Sequence, residues 1–564
     1  MNTLIYIMLR RLRMPLLVLI FVYAVSTLGL VLIPGQDDQG QPWRMDFFHA
    51  FYFVSFMGST IGFGEVPYPF TPGQRMWTLV CIYATVIAWL YAIGSSLAIL
   101  QDQGFLNLIR TRRFAQKVAQ LKEPFYLVCG YGTTGREVVL GLERRGIRSV
   151  VIDINQARID SVELEEFALP AYSLCADAAL PDNLDMAGLR RNNCLGVLAL
   201  TDQDNVNLAI SIASKLVKPQ RLVISRSENQ VTSANLASFG TDLVIDPFRK
   251  FADYLGLAVR APHQHLVIDW LINPNHRPLS SLYRNAKGRW ILCGYGRFGQ
   301  ALLQAMSNEQ TPITIIEPDS NRLEPGMEYV SGIGTEAVTL QAAQVADAVG
   351  IIAGTANDAD NLSILMTARE LNPRLTTVVR QNHASNQLMF EHSQADYVMQ
   401  PGHTVASQIL AHIRTPLLEL FFDQLRNQDE VWAHTLINRI SDTVGDTRVD
   451  SRSFTVGDSD TPALVTALQI GQTVTLRRLM KQPNDRNVDL ECFPLLLKRA
   501  DRIELTPGEL TELALGDELL FCGRASALNR QLWTLENHQT LNYLITGRDD
   551  NPNPLLSWIR NFKT

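Results

Sequence analysis

Residues 45–65, MDFFHAFYFVSFMGSTIGFGE, open with an apolar aromatic run and close on Ser59, Thr60, Ile61, Gly62, Phe63, Gly64 and Glu65. The run 45–57 is too short to cross a bilayer, whose hydrocarbon core of about 30 Å takes roughly 20 helical residues. Two flanking stretches are long enough, since residues 14–33 and 76–100 carry no charge. At about 1.5 Å per residue they form helices of about 30 and 37 Å. The order predicts a spanning helix, a re-entrant helix, a glycine-rich loop and a second spanning helix. Backbone outside a helix is tolerated at membrane depth only where protein buries it or it lines a water-filled path.

Working outward, the basic residues set the orientation. Arg10, Arg11 and Arg13 precede the first span, and Arg110, Arg112, Arg113 and Lys117 follow the second, whereas the loop between has Arg44 and Arg75. The positive-inside rule puts both ends in the cytoplasm. A cleaved signal peptide fits less well, because the apolar run exceeds a usual h-region and lacks a clear small-residue cleavage site. No later stretch approaches such a charge-free length, so everything after residue 100 is expected to be cytoplasmic. This explains a mean hydropathy of +0.02 in a chain that is 46% hydrophobic and 19% charged. The 564 residues predict about three to five domains. A net charge of −6 argues against a nucleic-acid-binding surface. Seven cysteines without a CxxC pair make neither a disulfide framework nor a zinc cluster.

The remainder contains a repeat. An apolar strand pattern at 125–129 runs into Gly130-Tyr131-Gly132-Thr133-Thr134-Gly135, and another at 290–293 runs into Gly294-Tyr295-Gly296-Arg297-Phe298-Gly299. Each is followed by a helical pattern and a β-rich stretch ending in an acid, Asp153 or Glu317, 23 residues after the first glycine. Two such units fit the dinucleotide fingerprint. The first glycine allows a tight turn, the second lets backbone approach a pyrophosphate, and the third lets helix pack on strand. Phosphate then meets free amides at a helix N-terminus. Asp153 would accept from a ribose 2′-hydroxyl and repel a 2′-phosphate, which favours NAD or adenosine phosphates over NADP. Further on, Asn207 matches Asn361, Arg226 matches Arg380 and Pro247 matches Pro401, each pair 154 residues apart, while the glycine motifs are 164 apart. Asp177 stands where the second copy has Thr335. Short apolar strands alternating with helices predict two doubly wound parallel α/β units.

With these residues in place, Thr60-Ile61-Gly62-Phe63-Gly64 resembles the selectivity filter of potassium channels. Four copies around an axis would replace an ion's hydration shell with carbonyl oxygens. Phe63 stands where many members have tyrosine, and Glu65 where many have aspartate, which alters the hydrogen bonds that support the filter. Gly94 resembles the family's gating hinge, and close packing of membrane helices explains a glycine there equally well. Leu97 and Leu100 are candidate constriction residues or lipid-facing packing. The α/β pair, with its run AlaLeuThrAspGlnAspAsnValAsnLeu at 199–208, is similar to tandem RCK domains, regulators of potassium conductance. The layout resembles prokaryotic two-helix potassium channels with two RCK domains per subunit, of the multi-ligand-gated type.

That resemblance implies an α-helical membrane pore fused to two Rossmann-like RCK domains and a C-terminal α+β lobe. The divisions expected are a pore at 1–105, a linker at 106–123, a first RCK domain with crossover helices at 124–275, a second at 276–430 and a regulatory lobe at 431–564. It further implies a homotetramer in the cell inner membrane, K+ in the filter, and regulation by NAD, ADP or ATP and by divalent cations such as calcium. The expected nucleotide residues are Gly130, Gly132, Thr133, Thr134, Gly135, Asp153, Asp177 and Arg226, with Gly294, Gly296, Arg297, Gly299 and Glu317 in the second copy. His263 with His265, and the cluster Glu163, Glu165 and Glu166, read as solvated surface rather than metal ligands. A catalytic role is not expected. The alternatives are a membrane-tethered NAD-dependent oxidoreductase, which needs a substrate lobe that does not stand out here, and a subunit of an RCK-regulated transporter, which would lack its own filter.

Overall fold

The computed structural model describes residues 2–272, 288–307, 311–445, 447–457 and 461–548. The chain divides into two compact units, residues 1–117 and 118–564.

In the first unit a helix Asn2–Leu32 and a helix Pro72–Gln101 contain apolar stretches, Leu12–Leu32 and Pro72–Ala98, long enough to cross a membrane. Most of their side chains are exposed in the single chain, as lipid-facing or subunit-facing surfaces would be. The second helix starts four residues before the charge-free run because Pro72 fits the first helical turn, where no amide partner is needed. Between them lies a short helix, Phe47–Gly58, whose N-terminus is capped by Asp46 accepting from the His49 amide at 2.8 Å. Its buried face, Ala50, Phe53, Val54 and Phe56, packs with Leu30, Met45 and Phe70. A Cβ on Gly29 would fall 2.2 Å from the Trp77 Nε1, so only glycine lets the indole lie against the first helix. The expected linker at 106–123 is largely helical, within Gln103–Gln120.

The second unit carries two parallel sheets of six strands. In the first the spatial order is Tyr172–Cys175, Arg148–Asp153, Phe125–Cys129, Cys194–Ala199, Leu222–Arg226 and Leu243–Ile245. The second repeats it with Tyr329–Val330, Ile313–Ile316, Trp290–Cys293, Gly350–Ala353, Thr376–Arg380 and Tyr397–Met399. The order reverses direction beside the first strand of each, which places a crevice above its glycine loop. Asn207 and Asn361 hold equivalent corners. Asn207 accepts from the Thr201 amide at 2.9 Å and donates to the Arg226 carbonyl at 3.0 Å, and Asn361 does so with Thr355 and Arg380 at 2.9 and 2.8 Å.

After each sheet a pair of helices crosses over: Pro247–Arg260 with Pro262–Ile272, and Pro401–Arg414 with Leu417–Leu425. The exchange is reciprocal. Pro401–Arg414 packs on Thr133–Glu143, the helix of the first glycine loop, and Pro247–Arg260 packs on Arg297–Ser307, the helix of the second. At one crossing Gly141 faces Leu410, and at the other Gly256 faces Ala305. These are the same repeat positions with the glycine on opposite partners, so a glycine keeps each crossing close.

The C-terminal lobe appears once. It has a four-stranded antiparallel sheet, ordered Asp450–Thr455, Glu518–Gly523, Cys492–Arg499 and Arg502–Leu505, covered by helices that include Ala525–Glu536. Leu266, Val267, Phe421 and Leu425 of the crossovers share its core with Leu496, Leu520 and Phe521. The expectation of a solvated surface at His263 and His265 holds for half of the pair. His263 is partly exposed and meets Glu430 at 2.7 Å, whereas His265 is fully buried with the Tyr254 ring tilted against it, centroids 4.1 Å apart. Burial pushes the His265 imidazole down to about 4, keeping it neutral.

A Cβ at Gly141 would lie 2.2 Å from Leu410 Cδ1. Gly141→Val is therefore expected to destabilise the chain by about 1–3 kcal/mol through overpacking. It should lower the midpoint of urea unfolding followed by tryptophan fluorescence in detergent. Adding Leu410→Ala should recover part of the loss, because the clash and its relief share one contact.

Candidate functional sites: a pore loop and a glycine-loop cleft

The short helix Phe47–Gly58 ends by passing the chain straight into the loop, with the Ser59, Thr60 and Ile61 amides donating to Ser55, Met57 and Phe56 at 3.1, 3.1 and 2.9 Å. Along the loop the backbone alternates. Thr60, Gly62 and Gly64 have φ of 64°, 68° and 101°, with Ile61 and Phe63 between them outside that positive-φ set. Such alternation cancels the usual flip of successive peptides and aims carbonyls to one side. A Cβ on Gly62 or Gly64 would meet nothing within 4 Å, so glycine is required by the left-handed backbone rather than by crowding. Thr60, β-branched at positive φ, is strained, and strain of this kind concentrates at functional loops. The helix directs its C-terminal, partly negative end toward this stretch, which favours a cation.

Sequence reading singled out Glu65 without a partner. In the structure it takes a two-point contact from Arg75, at 2.8 and 3.1 Å, and the Phe70 amide at 2.8 Å. The loop is thereby tied to the start of the second long helix. Phe63 rests its ring edge-on against Phe56 at 5.4 Å. Gly94 has open space around it in the chain, so close packing within one subunit does not account for it. Leu97 is about half exposed, and the Leu100 side chain lies outside the described residues.

In the second unit the first glycine motif has the geometry that a phosphate loop needs. Gly130 has φ 102° and would place a Cβ 2.9 Å from the Leu200 and Thr201 backbone. Gly135 would place one 2.0 Å from the Gly130 carbonyl, so helix and strand approach as the motif requires. Gly132 is the N-cap of Thr133–Glu143 and offers no side-chain cap, leaving the first-turn amides to an outside acceptor. Asp153 sits beneath the loop, almost fully buried, accepting from the Tyr131 and Asn155 amides at 2.7 Å each, with Arg158 at 3.4 Å. Its first task is thus to hold the loop.

Beside Gly132 opens a cleft of about 480 Å³. Thr133, Thr134, Arg158, Arg226 and Glu228 line one side, and Arg380, Gln381, Asn382, Gln400 and Gly402 the other. Arg226 reaches Thr134 Oγ1 at 3.4 Å and ion-pairs with Glu228. The Asp177 carboxylate accepts from the Ala179 amide at 2.8 Å, closing its own turn, and like Asp153 it is not among the residues lining the cleft. The wall from the second copy was invisible in sequence because it comes from the reciprocal crossing, more than 200 residues away.

The second motif keeps the turn but changes its contents. Gly294 has φ 93°, Gly299 lies against the Gly294 carbonyl, and Glu317 accepts from the Tyr295 amide at 2.7 Å. However, Arg297 extends to Glu228 of the first copy at 2.8 Å, and Phe298 is fully buried against Phe248 and Phe251, with ring centroids 5.9 and 5.7 Å apart. Glu165 of the acidic cluster is engaged by Tyr131 and Arg136 at 2.6 and 2.7 Å.

Comparison with known proteins finds a family match in each unit. Residues 16–102 match the ion channel family, and residues 126–247 and 290–401 each match the TrkA-N domain. "Potassium channel protein 1" of Methanocaldococcus jannaschii is 23% identical over 238 residues, 42% of this chain and 67% of that protein. The voltage-gated potassium channel Kch of Escherichia coli is 21% identical over 232 residues, 40% of this chain and 53% of that protein. Among solved structures, the GsuK channel bound to NAD aligns over 96% of this chain and 99% of its own at 16% identity, with a TM-score of 0.44.

At the edge of the cleft His403 meets Glu137 at 3.0 Å, and this hydrogen bond, opposed by partial burial, raises the imidazole above its ordinary 6.5. A raised histidine contributes stability that is full below about 6.5 and is lost as pH rises through its folded value. Stability measured from pH 6 to 9 should therefore fall, and His403→Gln should flatten the fall slightly, since this half-exposed pair is weak and salt-screened.

Proposed function

The chain belongs to the potassium channels that join an ion-channel module to TrkA-N domains, and we propose from this that it is a potassium-selective pore opened or closed by nucleotides on its cytoplasmic TrkA-N pair. The observation that carries the reading is the alternation of positive φ at Thr60, Gly62 and Gly64 at the end of a re-entrant helix. One chain supplies a single line of carbonyls, and a ring requires several, so the working pore is a homotetramer with K+ held by residues 60–64. The two apolar helices place it in a membrane. The basic residues beside them favour cytoplasmic termini in the cell inner membrane.

The cleft at Gly132 fits an adenosine phosphate or NAD: uncapped amides and Arg226 for phosphate, with Asp153 fixing the loop. A divalent cation such as calcium is a further candidate regulator. The described residues hold no group of three or more His, Cys, Asp or Glu suited to one, so no ligands are named.

Gating follows from linkage. A nucleotide that binds two arrangements of the TrkA-N pair unequally shifts their populations, and one that binds both equally shifts nothing. The residues from 101 to 123 join the pair covalently to the second long helix, where Gly94, Leu97 and Leu100 are the gate candidates. An oxidoreductase would need an acid or base poised beside a nicotinamide, and of the carboxylates lining the cleft Glu137 is engaged by His403 and Glu228 by Arg226 and Arg297.

Purified protein in planar bilayers is expected to carry current with potassium preferred over sodium. Gly62→Ala should abolish that selectivity, and Gly132→Asp and Asp153→Ala should each reduce the response to ADP, ATP or NAD at least about tenfold, the size of a lost charge-assisted contact. Turnover of nicotinamide without potassium flux would instead establish the enzyme, and flux that survives Gly62→Ala would point to a transporter partner.

A further inference from the structure

The helix pair that frames the first cleft has a second end. Gly402 meets Thr133 and Thr134, and Gly141 meets Leu410, so Thr133–Glu143 and Pro401–Arg414 run side by side in the same direction. Their first turns lie at the cleft, and their C-terminal ends meet far from it. Four residues beyond Gly141 and Leu410 stand Arg145 and Arg414. The C-terminal lobe reaches the same place, because Arg414 ion-pairs with Asp450 at the start of the strand Asp450–Thr455. Arg452 lies two residues along that strand and so on the same face as Asp450.

Four guanidinium groups gather here, Arg145 and Arg414 from one side and Arg448 and Arg452 from the lobe. Desolvation holds the Arg145 guanidinium below its ordinary range, the charges of Arg414 and Arg448 lower it further, and Asp450 works the other way. Arg452 is lowered by desolvation and by Arg414, against Asp450 and Glu536. The carboxylates are outnumbered. Asp450 is taken by Arg414, Glu536 is exposed, and Glu143 is turned to the Ala168 amide at 2.7 Å.

The arginines differ in what they already hold. Arg452 donates to two neutral acceptors, the Leu528 carbonyl at 3.2 Å and Asn529 Oδ1 at 2.9 Å, which fix its position without neutralising it. Arg145 and Arg448 are exposed and have neither an ion pair nor a hydrogen bond among the described residues. A helix C-terminus attracts cations, which accounts for Arg145 and Arg414. It does not account for Arg452, which lies on a strand, or for bringing the two sets together. Like charges drawn from two lobes repel, and an anion between them turns the repulsion into a bridge.

We propose that Arg145, Arg414, Arg448 and Arg452 form a binding site for a soluble anion carrying two or more phosphate groups, which clasps the C-terminal lobe to the first TrkA-N domain. Guanidinium groups suit phosphate because they bind its oxygens through paired, charge-assisted hydrogen bonds. Two linked phosphates reach arginines on both sides at once. The site is separate from the glycine-loop cleft and stands whether or not that cleft takes a nucleotide.

The test is calorimetric titration of pyrophosphate into the full chain in phosphatidylcholine nanodiscs, with Gly132→Asp disabling the glycine-loop cleft. A Cβ at Gly132 approaches Arg158 no closer than 3.9 Å, so this substitution leaves the fold intact. Pyrophosphate is expected to bind the Gly132→Asp chain at least about tenfold more tightly than sulfate at equal ionic strength. Adding Arg145→Gln with Arg448→Gln should weaken it about ten- to a hundredfold, as lost charge-assisted hydrogen bonds do, and Arg145→Lys with Arg448→Lys should keep most of the affinity. Thermal unfolding without ligand separates a binding defect from misfolding. Sulfate binding as tightly as pyrophosphate, or unaltered affinity in the folded double glutamine variant, would overturn the site. Pyrophosphate binding by the unsubstituted chain that vanishes in folded Gly132→Asp would place the anion in the glycine-loop cleft, overturning this inference and leaving the nucleotide reading intact. An affinity about tenfold weaker in nanodiscs containing phosphatidylglycerol would make the ligand a lipid headgroup and overturn the assignment to a soluble anion.

Discussion

The reciprocal crossing of the two repeat copies is the contact on which the cytoplasmic structure depends. Each glycine-loop helix is half-finished in its own domain: one face packs on its sheet, and the other needs the crossover helix of the opposite copy. The close approach is kept by a glycine at each crossing, Gly141 against Leu410 and Gly256 against Ala305. Because the loops lie at the ends of those same helices, the interface that stabilises the fold also builds the ligand clefts. A ligand in such a cleft touches both copies and is sensitive to their relative position.

This geometry explains what could be read from sequence and what could not. The glycine turns, their 23-residue spacing to Asp153 and Glu317, and the paired Asn207 and Asn361 are local patterns, each enforced by backbone within one domain. They were legible because the constraint and the residue lie close together in the chain. Arg380 and Gln400 were not, since their role exists only after the copies exchange helices. Asp177 shows the complementary case. An aspartate in a turn next to a strand has the right type for a ribose contact, and in the structure one of its oxygens accepts from the Ala179 amide. His265 was placed on a surface by its polarity, whereas Tyr254 and the shared core of the crossover bury it.

The pore unit shows a different division. Its helices were fixed by length and lack of charge, and its loop by five residues. The sequence could not show that Glu65 closes on Arg75, ten residues ahead, because an acid and a base at that spacing pair only if the intervening turn brings them together. Ile61 and Phe63 remain 60% and 66% exposed in the single chain. Large apolar side chains exposed beside a strained backbone are expensive for a monomer, and their burial by neighbouring copies supplies a physical reason for the loop to be ordered in an assembly.

The two halves of the molecule meet a common thermodynamic requirement. On the proposed function, strain in the loop and exchange at the crossings both leave an element incomplete until a partner arrives, which for the loop would be another subunit and for the cleft an anion. A site completed by two copies has an affinity that depends on their arrangement, and by linkage the bound anion must then favour that arrangement by the same factor. A site contained within one copy would bind equally well however the copies moved and would transmit nothing. Arg297, held by Glu228, ties the second glycine loop to the same carboxylate that pairs with Arg226 in the first. In the proposed nucleotide site, a phosphate competing for Arg226 would therefore alter the balance at Glu228, and with it the strut between the copies.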